Sequence, residues 1–140
     1  MQYDPIKSSQ GKVFNASPLL RVLFYKMLDL LLLRTWHIRK EIRQITASIP
    51  RAANLLDAGS GFGQYSHHLA KKFPNCYITG VDVKEEQIAD CNNFFKKLGL
   101  SDRVNFKIAD LTRFREENAF SLVLSIDVME HILEDVEVFR

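Results

Sequence analysis

The sequence predicts an α/β protein, a parallel sheet doubly wound by helices and preceded by an N-terminal helical segment. Three observations carry that expectation. From about residue 53 onward, short apolar runs alternate with helical patterns, as strand–helix–strand units require. The first run, Asn54-Leu55-Leu56-Asp57, passes into Ala58-Gly59-Ser60-Gly61-Phe62-Gly63, a turn with glycine at alternate positions. Nineteen residues after Gly63 a second run, Tyr77-Ile78-Thr79-Gly80-Val81, ends in Asp82.

Residues 1–16 read as irregular, with Asp4-Pro5 and Ser8-Ser9-Gln10-Gly11 as breakers. Ser17-Pro18 is a helix start, an N-cap followed by proline at the first helical position. One helix is expected to run to about Trp36 and a second or continuing one to about Ser48, where Pro50 stops it. Residues 1–50 thus form a helical segment and 51–140 the sheet domain. Leu19 to Leu33 is rich in leucine, yet Arg21, Lys26 and Asp29 interrupt it and Arg34 closes it. It falls short of the ~20 apolar residues of a membrane span. The three charges share no narrow face, which counts against a membrane-surface helix. A buried or lid-forming helix is expected; the alternatives are a partner or dimer surface, or contact with a membrane or lipophilic substrate. Arg34, Arg39, Lys40 and Arg43, with Glu41, read as a solvated face or a basic rim for an acidic substrate.

Strand 1 is expected at about 53–57 and a helix at about 65–73. Pro74-Asn75 turns into strand 2, 76–81. Residues 84–98 follow as a helix, with Ile88, Cys91, Phe95 and Leu98 at helical spacing and Gly99 as its stop. Strand 3 is placed at 103–108, then a polar loop through Arg113 to Asn118. Strand 4, Phe120 to Ile126, is near-continuously apolar, as for a strand covered on both faces. A last helix is expected from near Val128 to Arg140.

At 140 residues, 46% hydrophobic and 26% charged, the composition is that of an ordinary globular domain. A net charge of +2 gives no reason to expect a nucleic acid or another strongly anionic partner. Cys76 and Cys91 have no metal-ligand spacing and are too few for a disulfide framework, so they read as reduced thiols of a cytoplasmic protein. The first 17 residues contain no apolar leader. His67 and His68, adjacent on a helix, cannot face one metal together; no metal site is expected. Trp36 and the phenylalanines are expected in the core.

The glycine turn lets the backbone approach a ligand closely, and an acid at the tip of the neighbouring strand is where a ribose offers its hydroxyls. The dinucleotide pattern G-x-G-x-x-G fails, because Gln64 stands where its third glycine belongs. A phosphate-cradling G-x-x-x-x-G-K-[ST] loop is absent. The remaining pattern, Asp57-x-Gly59-x-Gly61-x-Gly63, resembles motif I of the class I S-adenosylmethionine-dependent methyltransferases, whose fold is Rossmann-like. Gly80-Val81-Asp82-Val83 is similar to the family's ribose-binding segment, and Asp110-Leu111 to its adenine-edge pair. Leu122 to Ile132, containing Asp127-Val128-Met129-Glu130-His131, is similar to the strand-4 segment of its small-molecule branch.

The resemblance implies S-adenosylmethionine as cofactor, contacted by Asp57, Gly59, Ser60, Gly61, Asp82, Val83, Asp110, Leu111 and Ile126, with Gly63 serving helix packing. Asp57 is either a contact to the methionine end, perhaps through water, or a turn acid. Asp110 is an adenine contact or a turn former, and Asp127 can cap the final helix. His131 is the candidate base for an acceptor that must lose a proton, or else a capping or core histidine; Glu130 beside it reads as a first-turn acid. Seven strands in the order 3-2-1-4-5-7-6 are usual in the family, and this sequence ends after strand 4. A fragment of a longer protein is the expectation; a homodimer covering the strand-4 edge is the alternative. Ser125-Ile126-Asp127-Val128 stands in place of the N/D-P-P-[YF] motif of base-methylating members, which implies a small-molecule or lipophilic acceptor. The implied activity is S-adenosylmethionine-dependent methyl transfer. The alternatives are a non-catalytic cofactor-binding fragment or partner subunit and a nicotinamide-dependent oxidoreductase.

Overall fold

The computed structural model describes residues 17–31, 33–133 and 135–138, and the chain divides into two units, Met1–Pro50 and Arg51–Arg140. In the first unit, α1 (Pro18–Leu31) and α2 (Leu33–Ile45) precede a 3₁₀ turn, Thr46–Ser48. Ser17 starts α1 as expected: its Oγ accepts the Leu19 N–H at 3.3 Å and its carbonyl the Arg21 N–H at 3.1 Å. Leu32, between the two helices, lies outside the described residues. Asp29 of α1 forms an ion pair with Arg39 of α2.

Of the two readings of the apolar helix, buried or lid-forming, the buried one does not hold: the buried residues of α1 are Arg21 and Tyr25, with Arg21 Nε donating to Tyr25 Oη at 3.0 Å, while Leu19, Leu20, Leu23, Leu30 and Leu31 are exposed. Trp36 is not in the core. Thr35 and Ile42, two turns apart, define the buried side of α2, and Trp36 lies about 100° round the helix from it. It is 56% exposed, with the Lys40 ammonium 6.0 Å from its ring.

The second unit is a four-stranded parallel sheet in the order β3-β2-β1-β4, built from β1 (Asn54–Ala58), β2 (Tyr77–Asp82), β3 (Val104–Ile108) and β4 (Leu122–Ser125). Helix α3 (Gln64–Lys72) joins β1 to β2 and α4 (Glu85–Lys97) joins β2 to β3. Leu55, Leu56, Ala58, Ile78 and Val81 are buried, which accounts for the unbroken apolar runs of the central strands. Gly99, at φ +68°, ends α4 as expected. Phe95 of α4 is fully buried, its ring 5.2 Å from Phe94 and 4.9 Å from Phe106 of β3. His67 of α3 is buried against the same rings, a structural role.

Side chains finish the ends of these elements. Asn92 donates to the Phe106 carbonyl and accepts the Phe106 N–H, both at 3.0 Å, so a helix side chain satisfies the backbone of border strand β3. The Arg103 guanidinium donates to the carbonyls of Ala70 at 2.8 Å and Phe73 at 3.5 Å, where a cation suits the C-terminus of α3.

Beyond Phe120 the structure departs from the sequence reading. Strand β4 is only four residues long and half-buried, with Val123 exposed. Among the described residues it pairs with β1 alone, and a border strand is not covered as a central one is. In place of the start of the expected helix from Val128 there is a 3₁₀ turn, Met129–His131, then a short α5, Asp135–Val138; residues 134, 139 and 140 of that expectation lie outside the described residues. Asp127 turns the chain with φ +55°, a left-handed conformation unlike the extended backbone of an N-cap, so it does not cap a helix. Val128 stands at the cap position without a side-chain bond.

Gly80 tests the packing of the sheet against α4. A Cβ there would overlap the Phe106 ring, and overpacking of this kind costs about 1–3 kcal/mol. Gly80→Ala is therefore expected to lower the unfolding free energy by that amount in urea titration. An unchanged midpoint would show that Phe106 can move aside freely.

Candidate functional site

Because all four strands are parallel, their carboxyl ends share one border of the sheet. The chain travels outward from β1 through β2 to β3, then returns to β4 on the other side of β1. Open α/β sheets bind ligands at such a reversal. The turn after β1, Asp82 and Val83, Asp110 and Leu111, and Ser125 to Asp127 all emerge along this border.

The turn is held from several sides. Gly59 and Ser60 both donate their N–H groups to the Val81 carbonyl, at 2.8 and 2.9 Å, and Gly63 donates to Ser60 O at 2.8 Å. Gly61 N–H donates to Asp82 Oδ2 at 3.0 Å, and the Cys91 thiol to Gly61 O at 3.4 Å. Gly59 has φ +84°, and a Cβ on it would overlap Val128. Glycine is needed there for conformation and for space. A Cβ on Gly63 would press on Cys91, Phe95 and Phe106 at 3.2–3.3 Å, in keeping with a packing role. Around Gly61 the side facing away from the backbone is open, with nothing within 4 Å of a built Cβ.

Asp57 is buried beneath this turn, its Oδ2 accepting the Ser66 hydroxyl of α3 at 2.6 Å. Burial pushes its carboxyl up to about 6, against the lowering effect of the Ser66 bonds and with a further rise from the nearby Asp82 charge. Asp82 is half-buried, and its Oδ1 accepts the Lys84 N–H at 3.1 Å. Val83 is exposed. Asp110 is exposed and accepts the Thr112 N–H at 3.0 Å and hydroxyl at 2.8 Å, bonds that hold its carboxyl below the usual range. Leu111 turns into the core with Leu56, Ala58 and Val81. Ile126 is half-buried, and Asp127 exposed. His131 lies 3.5 Å from Glu130 and both are exposed, so it is not a core-satisfied histidine.

Several participants escaped the sequence reading. Ser66 as the partner of Asp57 was foreshadowed only by the rule that a carboxylate inside an apolar strand needs a donor. Val128 against Gly59 and Cys91 on Gly61 join residues far apart in the chain, for which the sequence carried no signal. Among the described residues four hydroxyls are buried without a hydrogen-bond partner: Thr35 Oγ1 in the first unit, and Ser60 Oγ, Tyr65 Oη and Ser125 Oγ in the second. Buried hydroxyls are nearly always bonded. Ser60 belongs to the turn, Tyr65 to the first turn of α3, and Ser125 ends β4 opposite Ala58. Their clustering in sequence and topology around one turn suits a polar ligand. Among the described residues no group of His, Cys, Asp and Glu has the arrangement of a metal site.

Residues 55–140 match the family described as Methyltransferase domain. The chain belongs to that family.

Its relatives agree. Over 86 residues the chain is 33% identical to a Papaver bracteatum enzyme named as a probable (S)-tetrahydroprotoberberine N-methyltransferase, covering 61% of this chain and 24% of that one. It is 37% identical over 87 residues to ajmaline N-methyltransferase of Rauvolfia serpentina, covering 61% of this chain and 29% of that one. The chain thus spans well under half the length of these relatives. The structure of a sarcosine dimethylglycine methyltransferase candidate from Galdieria sulphuraria superposes with a TM-score of 0.68 at 25% identity, over 76% of this chain and 39% of the other. The Rossmann-like, class I assignment made from the motifs therefore holds. The match begins within β1, so the helices of the first unit lie outside it.

Asp57 gives this methyltransferase domain a pH signature. Its folded-state value of about 6 lies above the unfolded value of 3.8. Between the two the folded state binds more protons, so stability falls as pH rises through that window. The loss is expected to reach at most about 3 kcal/mol above pH 6. Urea titrations of wild type and Asp57→Asn across pH 4 to 7 check it: the substitution should flatten the profile, and parallel profiles would remove Asp57 as the cause.

Proposed function

We propose that this chain binds S-adenosylmethionine through the turn Gly59–Gly63 and Asp82, and belongs to an enzyme that transfers its methyl group to a small molecule. The hydrogen bond from Gly61 N–H to Asp82 carries the reading, because it joins the glycine turn and the strand-end acid in one site. The residues suit the cofactor. The open side of Gly61 admits a ligand at backbone range. Asp82 keeps acceptor capacity for ribose hydroxyls beyond its two backbone bonds. Ser60 Oγ offers a buried hydroxyl to a polar group. Asp57 acts beneath the turn, holding α3 through Ser66 and meeting the methionine end through water. Leu111 has its side chain in the core, so its backbone is what it can present to an adenine beside Asp110, with Val83 and Ile126 as the apolar neighbours.

When bound, S-adenosylmethionine supplies a methyl group already activated by its sulfonium. The protein's own task is to hold an acceptor in line and exclude water. His131 takes a proton from an acceptor that must lose one, and its exposure leaves the imidazole accessible for that exchange. A small-molecule acceptor is supported by relatives named for ajmaline and tetrahydroprotoberberine and by Ser125-Ile126-Asp127-Val128 after β4. Cys76 and Cys91, both buried and unbridged, support a reducing, cytoplasmic setting.

Calorimetric titration with S-adenosylhomocysteine tests the proposal, with NADH as control. The homocysteine compound is expected to bind and NADH not to. Asp82→Ala should weaken that binding about tenfold to a hundredfold, the loss expected for charged hydrogen bonds. Unchanged affinity in a folded Asp82→Ala variant would overturn the ribose assignment, and preference for NADH would overturn the cofactor.

A further inference from the structure

Helix α1 carries its polar and apolar residues the reverse of the usual way round. Leu19, Leu20, Leu23, Met27, Leu30 and Leu31 recur at spacings of three and four and so share one face, and all six are exposed. Leu19 and Leu30 reach 82% and 86%. The charges that interrupt the leucine run in sequence do not interrupt this face. Arg21 is buried and bonded to Tyr25, and Asp29 is paired with Arg39 of α2, which leaves Lys26 as the exposed charge of the helix. Trp36, with Lys40 over its ring, adds an exposed aromatic on the next helix.

Charge separates the same unit from the rest of the chain. Residues 1–50 hold eight Lys or Arg and three Asp or Glu, a net +5; residues 51–140 hold eleven and fourteen, a net −3. Lys26, Lys40 and Arg43 are exposed.

We propose that α1 lies against an anionic lipid bilayer, its leucine face entering the acyl boundary and the basic residues of the unit meeting the headgroups. A row of leucines with methionine offers no hydrogen-bonding side chain, so its partner must be satisfied by apolar contact alone, as acyl chains are. A second copy would bring two units of net +5 together, which disfavours self-association. Trp beside Lys suits the boundary where one end of a side chain is apolar and the other wet. No described helix is long and apolar enough to cross a membrane, so the contact is peripheral. The proposal is independent of the cofactor assignment.

Co-sedimentation of the full 140-residue chain with vesicles decides it. One set is phosphatidylcholine alone; the other contains phosphatidylglycerol as well. Binding is expected to the anionic vesicles, to fall as salt is raised, and to drop at least about tenfold in the double variant Leu23→Glu, Leu30→Glu. Circular dichroism of that variant should match wild type, since neither side chain is buried. The single variant Trp36→Ala should give a smaller loss. Absence of binding to anionic vesicles overturns the proposal, as does equal binding to phosphatidylcholine alone or binding that the folded double variant leaves unchanged. A dimer in sedimentation equilibrium that the double variant dissolves would overturn it too, because the face would then join two copies.

Discussion

Two hydrogen bonds to one carbonyl, that of Val81, set the course of the chain after β1. Gly59 and Ser60 can both reach it because Gly59 takes a left-handed φ that a side chain would resist. The same residue leaves room for Val128, so the exit of β4 packs where a Cβ would otherwise sit. Three strands are thereby tied at one point: β1 through its own turn, β2 through Val81 and Asp82, and β4 through Val128. Positions fixed by rigid strand ends in this way are better defined than positions carried on free loops.

The carboxylates around the turn divide the work by environment. Asp57 is sealed from water and depends on Ser66, and the nearby charge of Asp82 adds to the cost of ionising it. Asp82 is half-buried and bonded to two backbone N–H groups, which suits a carboxylate in partial contact with water. Asp110 is in water and held chiefly by Thr112, with the Arg113 charge a smaller influence. Burial separates an acid sealed in the fold from one that stays accessible, although both stand at the carboxyl ends of apolar strands.

The two units bury different chemistry. The sheet unit hides leucine, valine, isoleucine and phenylalanine, as the hydrophobic effect directs, with Asp57 its buried carboxyl. In the helical unit α1 hides Arg21 and Tyr25 and exposes leucine. Arg21 tolerates burial because Tyr25 accepts from its guanidinium. The same leucines that make the helix apolar in sequence therefore cover no core in this structure, and a contiguous exposed apolar face is the kind that marks an interaction surface.

Local chemistry was enough to read much of this protein directly from its residues. Alternating apolar runs and helical spacings located β1 to β3, α3 and α4 to within a residue or so, and the glycine turn with Asp82 marked the border where a ligand would sit. Ser17-Pro18 and Gly99 worked as start and stop signals because capping depends on near neighbours alone. The tertiary structure decided the rest. It set the exposure of Trp36, the partner of Asp57, the burial of the Leu111 side chain, and the left-handed turn at Asp127 that replaces a helix. Each of these depends on which surfaces meet across long stretches of chain. An apolar pattern states that a face prefers to leave water, and only the packed fold determines whether a neighbour is there to receive it.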